Sequence, residues 1–114
     1  MNGKELITLL FEEEGGELFR FDGVRFFVSG RTEGMIPHIH FATADKKLNG
    51  TIRLDVAKYF PHGGKYASKL TVPLLRKFLV YMTVEKYNEA CWLWNQLPNV
   101  PTISQEMPDY SKLV

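Results

Sequence analysis

The sequence has only one cysteine, Cys91, among its 114 residues. A single cysteine cannot form an internal disulfide bond, and such scarcity is typical of proteins from reducing compartments. A chain of this length buries roughly two-thirds of the surface that its unfolded form exposes, which is enough to support a core without disulfides or metals. We therefore expect a cytoplasmic protein that is stabilised by hydrophobic packing.

Long hydrophobic runs are also absent. No stretch approaches the roughly 18 consecutive apolar residues that cross a bilayer. The first residues, MNGKELITLLFEEEGG, are apolar for a few positions and then acidic, which is not the pattern of a secretory signal. These absences predict a soluble protein that does not contact a membrane.

The common nucleotide-binding and hydrolase motifs are missing as well. Gly63-Gly64-Lys65 lacks the first glycine of a P-loop and the Ser or Thr that follows its lysine. Neither a G-x-S-x-G nucleophile elbow nor a dinucleotide-binding glycine fingerprint occurs. We expect no cofactor, and we assign no metal ligands.

Charge is balanced overall but unevenly distributed. The formal net charge is +1, yet residues 46–77 hold eight of the 14 lysines and arginines, with Asp55 as the one carboxylate among them. Solvated lysines spread over a surface would explain this equally well. A basic segment in a near-neutral chain can also be the electrostatic footprint of an anionic partner.

Apolar patterns predict an α+β fold, a four-stranded antiparallel meander sheet with a C-terminal helix or helix pair on one face. Asp22-Gly23 between two aromatic runs is a strong hairpin signal, and it places Arg20 opposite Arg25, Leu18 opposite Phe27 and Glu17 opposite Val28. The remaining predicted elements begin with a short N-terminal helix over 3–14. Strands near 36–43 and 51–57 are joined by a polar turn that ends at Asn49-Gly50. One kinked helix or two helices follow over 72–97. We expect residues 1–97 to form one compact domain, and residues 98–114, with three prolines, to form an extended tail.

Strand alternation gathers polar residues on one face of this sheet. His38 and His40 share a face because side chains two positions apart point the same way. If the apolar residues of each strand, including Val56, are in the core, the opposite face holds Arg20, Arg25, His38, His40, Arg53 and Asp55. The bland interpretation is a wet sheet face without a function, in which Asp55 pairs with a histidine.

Functional interpretations of this face compete with the bland one. Two histidines and Arg53 are a plausible acid, base and phosphate-stabilising set for cleaving RNA. A metal site is an alternative, with His62 or Asp55 as third ligand, although nearby arginines would repel a cation. The basic loop over 58–69 offers phosphate contacts, and its aromatic residues Tyr59, Phe60 and Tyr66 offer stacking surfaces.

The order of these motifs resembles a known family. An aromatic hairpin, then PHIHF, TIRLD and a helix ending in CWLWN, resembles the uncharacterised bacterial family called domain of unknown function 4160, over residues 17–97. The resemblance implies a compact sheet with a packed helix and a toxin–antitoxin-like or mobile-element setting. It supports His38 and His40 as a shared feature.

Taken together, these observations predict a small cytoplasmic binding domain that contacts nucleic acid or an acidic protein. The candidate catalytic residues are His38, His40 and Arg53. The candidate binding residues are Arg20, Arg25, Asp55, Lys58, His62, Lys65 and Lys69. The alternatives are a metal-independent histidine RNase, a metal-dependent hydrolase, and a protein-interaction module that uses Trp92 and the tail.

Overall fold

The sheet is a four-stranded antiparallel meander in which each strand pairs with the next along the chain. A computed structural model describes residues 16–30, 34–61 and 64–114. The strands are β1 (Gly16–Phe21), β2 (Val24–Val28), β3 (His38–Ala42) and β4 (Asn49–Arg53). This confirms the predicted α+β class. The helix expected over 3–14 lies outside the described residues.

Two helices, not one kinked helix, follow the sheet: α1 (Val72–Tyr81) and α2 (Val84–Asn95). The hydroxyl of Thr71 caps the first helix by accepting from the amide of Leu74, and the hydroxyl of Thr83 caps the second by accepting from Lys86. Threonine is a favoured N-cap, so Thr83 starts a new helix. Neither helix is long and apolar enough to cross a membrane, and the same holds for every helix within the described ranges.

The first hairpin follows the predicted register only near its turn. Asp22 and Gly23 both have positive φ angles, 49° and 75°, as a type I′ turn requires. Arg20 pairs with Arg25 as predicted, but a bulge at Leu18 then shifts the ladder so that Glu17 pairs with Phe27. The predicted pairs Glu17 with Val28 and Leu18 with Phe27 are therefore wrong.

The bulge has a clear physical reason. Unbroken alternation would point Glu17 to the same face as Phe19 and Phe21, into the core. The extra residue instead places Leu18 in the core, where it is 4% exposed, and turns Glu17 to the polar face. An unpaired buried carboxylate is thus avoided.

The fourth strand begins and ends earlier than predicted. Asn49-Gly50, expected to close a turn, lies within β4. Glycine is required at position 50 by close packing, because a Cβ there would collide with the Phe41 ring and the Ser68 carbonyl. The chain bends after Arg53, so Val56, expected in the core, is exposed.

The core lies between the apolar face of the sheet and the helices. Phe26, Phe41, Ile39, Ile52 and Leu54 are fully buried, as their alternation predicts. The ring of Phe78 from α1 stacks on Phe26 with centroids 5.4 Å apart. Trp94 and Cys91 of α2 also join the core, as expected. Burial raises the pKa of the Cys91 thiol, which disfavours its thiolate form.

The C-terminal residues pack against the point where β4 ends. Ile103, Tyr110 and Leu113 are buried. The hydroxyl of Tyr110 donates to the carbonyl of Arg53 at 2.7 Å, and the hydroxyl of Tyr87 donates to the carbonyl of Leu54 at 2.7 Å. These bonds satisfy two backbone carbonyls at the end of β4.

We expect Tyr110→Phe to destabilise the protein by about 1–2 kcal/mol, because it leaves the carbonyl of Arg53 without its donor. Urea unfolding monitored by circular dichroism measures the change. Tyr81→Phe is the control, since Tyr81 is exposed. An equal loss in the two variants would contradict this role of Tyr110.

Candidate functional site

The two histidines of β3 are neighbours, but they are not exposed. His38 and His40 are 1% and 4% exposed, and their ring centroids lie 5.1 Å apart. The alternation correctly predicted that they share a face. The interpretation of that face as solvated is wrong at β3, where all five residues are buried.

The loop after β4 covers this second face of the sheet. Phe60 lies edge-on to His38, with centroids 5.4 Å apart, and Tyr66 lies edge-on to His40 at 5.1 Å. The loop is held by backbone bonds, since the amide of Phe60 donates to the carbonyl of Thr51 at 3.0 Å and the Thr51 hydroxyl donates back to the carbonyl of Phe60. The aromatic rings of this loop therefore cover the side chains of the two histidines.

His38 belongs to the packed interior. Its Nδ1 lies 2.6 Å from the carbonyl oxygen of Ile36, and because a carbonyl can only accept, Nδ1 carries the hydrogen and donates. The indole of Trp94 lies 5.4 Å from the same ring. Ring orientation is thus fixed by a hydrogen bond on one side and aromatic contacts on the other.

Arg53 is held by Asp55. Its Nε and Nη2 donate to the two carboxylate oxygens of Asp55 at 2.8 and 2.7 Å, a bidentate pair. Arg53 holds the pKa of Asp55 below its usual value of 3.8, and Asp55 in turn raises the pKa of Arg53. Although Arg53 is opposite His38 in the ladder, its guanidinium is engaged in this pair.

The ion pair of Asp55 with Arg53 should make the stability of the fold depend on pH. Its lowered pKa means that the pair stabilises the fold above about pH 4 and that this contribution is lost as pH falls below it. We expect Asp55→Asn to lower stability at pH 7 and to flatten the decline in stability below about pH 4. Urea unfolding at several pH values measures this, with Glu106→Gln as control. An unchanged acid profile in Asp55→Asn would refute it.

The opposed arginines of the first hairpin are bridged by an acidic side chain. Oε1 of Glu17 lies 2.8 Å from Nη2 of Arg20 and 3.4 Å from Nε of Arg25. The Arg25 guanidinium also lies over the Phe27 ring, 4.4 Å from its centroid. The bulge at Leu18 is what brings Glu17 to this face.

Two neighbouring cavities lie along the same face. The smaller, about 240 Å³, is lined by Arg20, Arg25, Thr43, Ala44, Phe27 and Lys46 among others. The larger, about 510 Å³, is lined by Phe27, Lys46, His40, Asn49, Lys65 and Tyr66, together with Ser29. Phe27 and Lys46 border both cavities, so we treat them together and call them the basic groove. None of the described residues that line it is acidic.

The basic groove contains only part of the predicted site. It includes Arg20, Arg25, Lys65 and, at its floor, His40. Lys58 and Lys69 are exposed outside it, and the ammonium of Lys69 lies 5.7 Å from the Tyr59 ring centroid. His38 is beneath the covering loop, Arg53 and Asp55 form their own pair, and His62 lies outside the described residues.

Sequence reasoning missed Lys46, Asn49, Ser29 and Phe27 as groove residues. Arg25 pairs with Ala42 across the sheet, so the turn that follows Ala42 necessarily lies beside Arg25. The basic pair Lys46-Lys47 in that turn was the available signal. The sequence shows that this pair is basic, but its position next to the hairpin follows only from strand pairing.

Metal ligands do not converge within the described ranges, where no group of three or more His, Cys, Asp or Glu side chains is arranged to hold an ion.

No protein-family model matches this chain, and no match was found among curated proteins or solved structures. The chemistry of the basic groove is therefore the main evidence on function.

Proposed function

We propose that this protein binds single-stranded nucleic acid in the basic groove. The observation that carries this proposal is the combination of basic side chains from four separate segments with two aromatic rings in one groove. Single strands are bound in this way, by cations that follow the backbone and by rings that stack on bases. The toxin–antitoxin-like setting implied by the family resemblance is part of the same proposal.

The basic side chains of the groove suit a phosphate backbone. Arg20 is on β1, Arg25 on β2, Lys46 in the turn between β3 and β4, and Lys65 in the loop after β4. Their convergence from distant parts of the sequence concentrates positive potential along one path. Such an arrangement favours a polyanion over a single small anion.

Aromatic and polar groups of the groove suit unpaired bases. Phe27 and Tyr66 border the larger cavity on either side of His40, with Phe27 stacked on His40 at 5.4 Å and Tyr66 edge-on to it. Asn49 and Ser29 supply amide and hydroxyl groups that can bond base edges. Rings at the wall of a cavity are accessible to a splayed base but not to one paired within a duplex.

Binding is better supported than cleavage. Acid–base cleavage of RNA requires two groups that reach the strand, whereas His38 is 1% exposed and donates to the backbone through Nδ1. Arg53, the expected phosphate stabiliser, is held by Asp55. Of the three predicted catalytic residues, His40 alone borders the groove.

Lys46→Ala with Lys65→Ala should weaken binding to a labelled 12-nucleotide RNA by about tenfold or more at low salt and reduce its salt dependence. The double variant neutralises two phosphates fewer than the wild type, which lowers the steepness of log affinity against log salt by about 1.4 for a single strand. Fluorescence anisotropy over a salt series measures both quantities.

The matched control for that double variant is Arg76→Ala with Lys112→Ala, which changes net charge equally at two exposed residues that do not line the groove. It should keep at least half the wild-type affinity. Failure of the wild-type protein to bind RNA or DNA at low salt would overturn the proposed function, as would equal losses in the two double variants.

Tyr66→Leu should weaken RNA binding by about fivefold or more, because stacking on one base contributes about 1–3 kcal/mol. Trp92→Leu is the control, since Trp92 is 53% exposed on α2 and does not line the groove. The same anisotropy titration applies. A larger loss in Trp92→Leu than in Tyr66→Leu would instead favour the interaction surface on α2.

A further inference from the structure

We propose that the smaller cavity of the basic groove is a phosphate subsite whose arginines are occupied by the carboxylate of Glu17 until a phosphate displaces it. This inference rests on the proposed function and adds its regulation. The observations that carry it are the bridging position of Glu17, the cations around the cavity beside it, and the bulge that orients it.

Glu17 occupies the position that a phosphate oxygen would take between two guanidinium groups. Its Oε1 accepts from Nε of Arg20 at 2.9 Å and lies 2.8 Å from Nη2 of the same residue and 3.4 Å from Nε of Arg25. Phosphate and carboxylate oxygens are recognised by guanidinium groups with the same planar geometry. Arg25 is further oriented by its contact with the Phe27 ring.

The cavity beside this bridge has the composition of a phosphate site. Lys46 and the Thr43-Ala44 segment line it together with the two arginines. The one carboxylate in the adjoining turn, that of Asp45, accepts from the hydroxyl of Thr43 at 2.7 Å and from the amide of Lys47 at 3.0 Å. A phosphate in this cavity therefore meets three cations and no carboxylate among the lining residues. Two of those cations, Arg20 and Arg25, are the ones that Glu17 bridges.

The Glu17 bridge can be displaced. The side chains of Glu17 and Arg20 are 39% and 61% exposed, and ion pairs at such exposure are weak because water and salt screen them. A strand presents several phosphates in a row to the groove, and pyrophosphate offers more oxygens and more charge than one carboxylate, so either competes effectively for the same arginines. Displacement needs only a side-chain rotation, because Glu17 is exposed and its backbone remains in β1.

The bulge at Leu18 makes this arrangement specific. Regular pairing would direct Glu17 to the opposite face of the sheet, where it would contact neither arginine. Bulges commonly re-orient a side chain next to a binding site. Glu17 therefore competes with any anion for the two arginines, so that a strand with several phosphates displaces it and a single carboxylate does not.

The experiment compares Glu17→Gln with Glu106→Gln, which removes the same charge from an exposed residue of the C-terminal segment. Each protein is titrated with inorganic pyrophosphate while the Nε–Hε signals of Arg20 and Arg25 are followed by nitrogen-15 NMR. Glu17→Gln should bind pyrophosphate about fivefold more tightly than wild type, because a like charge near the bound anion is removed. Glu106→Gln should change the affinity less than twofold.

The labelled RNA separates this inference from the proposed function. Tighter RNA binding by Glu17→Gln, lost again in Glu17→Gln with Arg20→Gln, supports both. Unchanged affinity of Glu17→Gln for pyrophosphate and RNA overturns the gating inference, while RNA binding by the wild type still supports the function. Equal gains in Glu17→Gln and Glu106→Gln also overturn gating, since net charge alone would then explain them. Tighter pyrophosphate binding without any RNA or DNA binding supports the phosphate subsite and overturns the nucleic-acid function.

Discussion

Burial of strand β3 on both faces is the constraint on which the rest of this molecule depends. Ile39 and Phe41 pack into the core on one side, while His38 and His40 are covered on the other by the loop after β4. A loop of this kind stays in place only where its backbone groups find partners. The paired bonds between Thr51 and Phe60 provide them. The covering loop then supplies one wall of the basic groove.

The polar residues of the second face are separated by their depth in the structure. At the centre of this face, His38 is hydrogen-bonded to the backbone and contacts aromatic rings, so it is part of the packed interior. At its periphery, Arg20, Lys46 and Lys65 are exposed to solvent around the two cavities. Charged groups remain where water can solvate them, because burying an unpaired charge is costly. The positive charge of the groove follows from this separation.

Much of the fold was predictable from local patterns, and the errors have identifiable causes. Alternation and the Asp22-Gly23 turn correctly predicted four antiparallel strands and most of their core residues, with Val56 and Leu18 as the exceptions. The bulge at Leu18 was missed because it is decided by the cost of burying Glu17, which strict alternation ignores. Asn49-Gly50 resembles a turn, but here glycine is needed where a ring and a carbonyl approach the backbone. For the site, Arg20, Arg25, Lys65 and His40 were predicted, while Lys46 was not.

What the sequence determined by itself is periodic and local. Side chains two positions apart share a face of a strand, so His38 and His40 had to be neighbours wherever the strand lay. Tertiary structure alone decided that this face is covered, that Arg53 is paired with Asp55, and that Lys46 lies beside Arg25. These outcomes depend on contacts between residues far apart in the chain, whose free energies are set by burial and by competition for partners, and a one-dimensional pattern does not contain them.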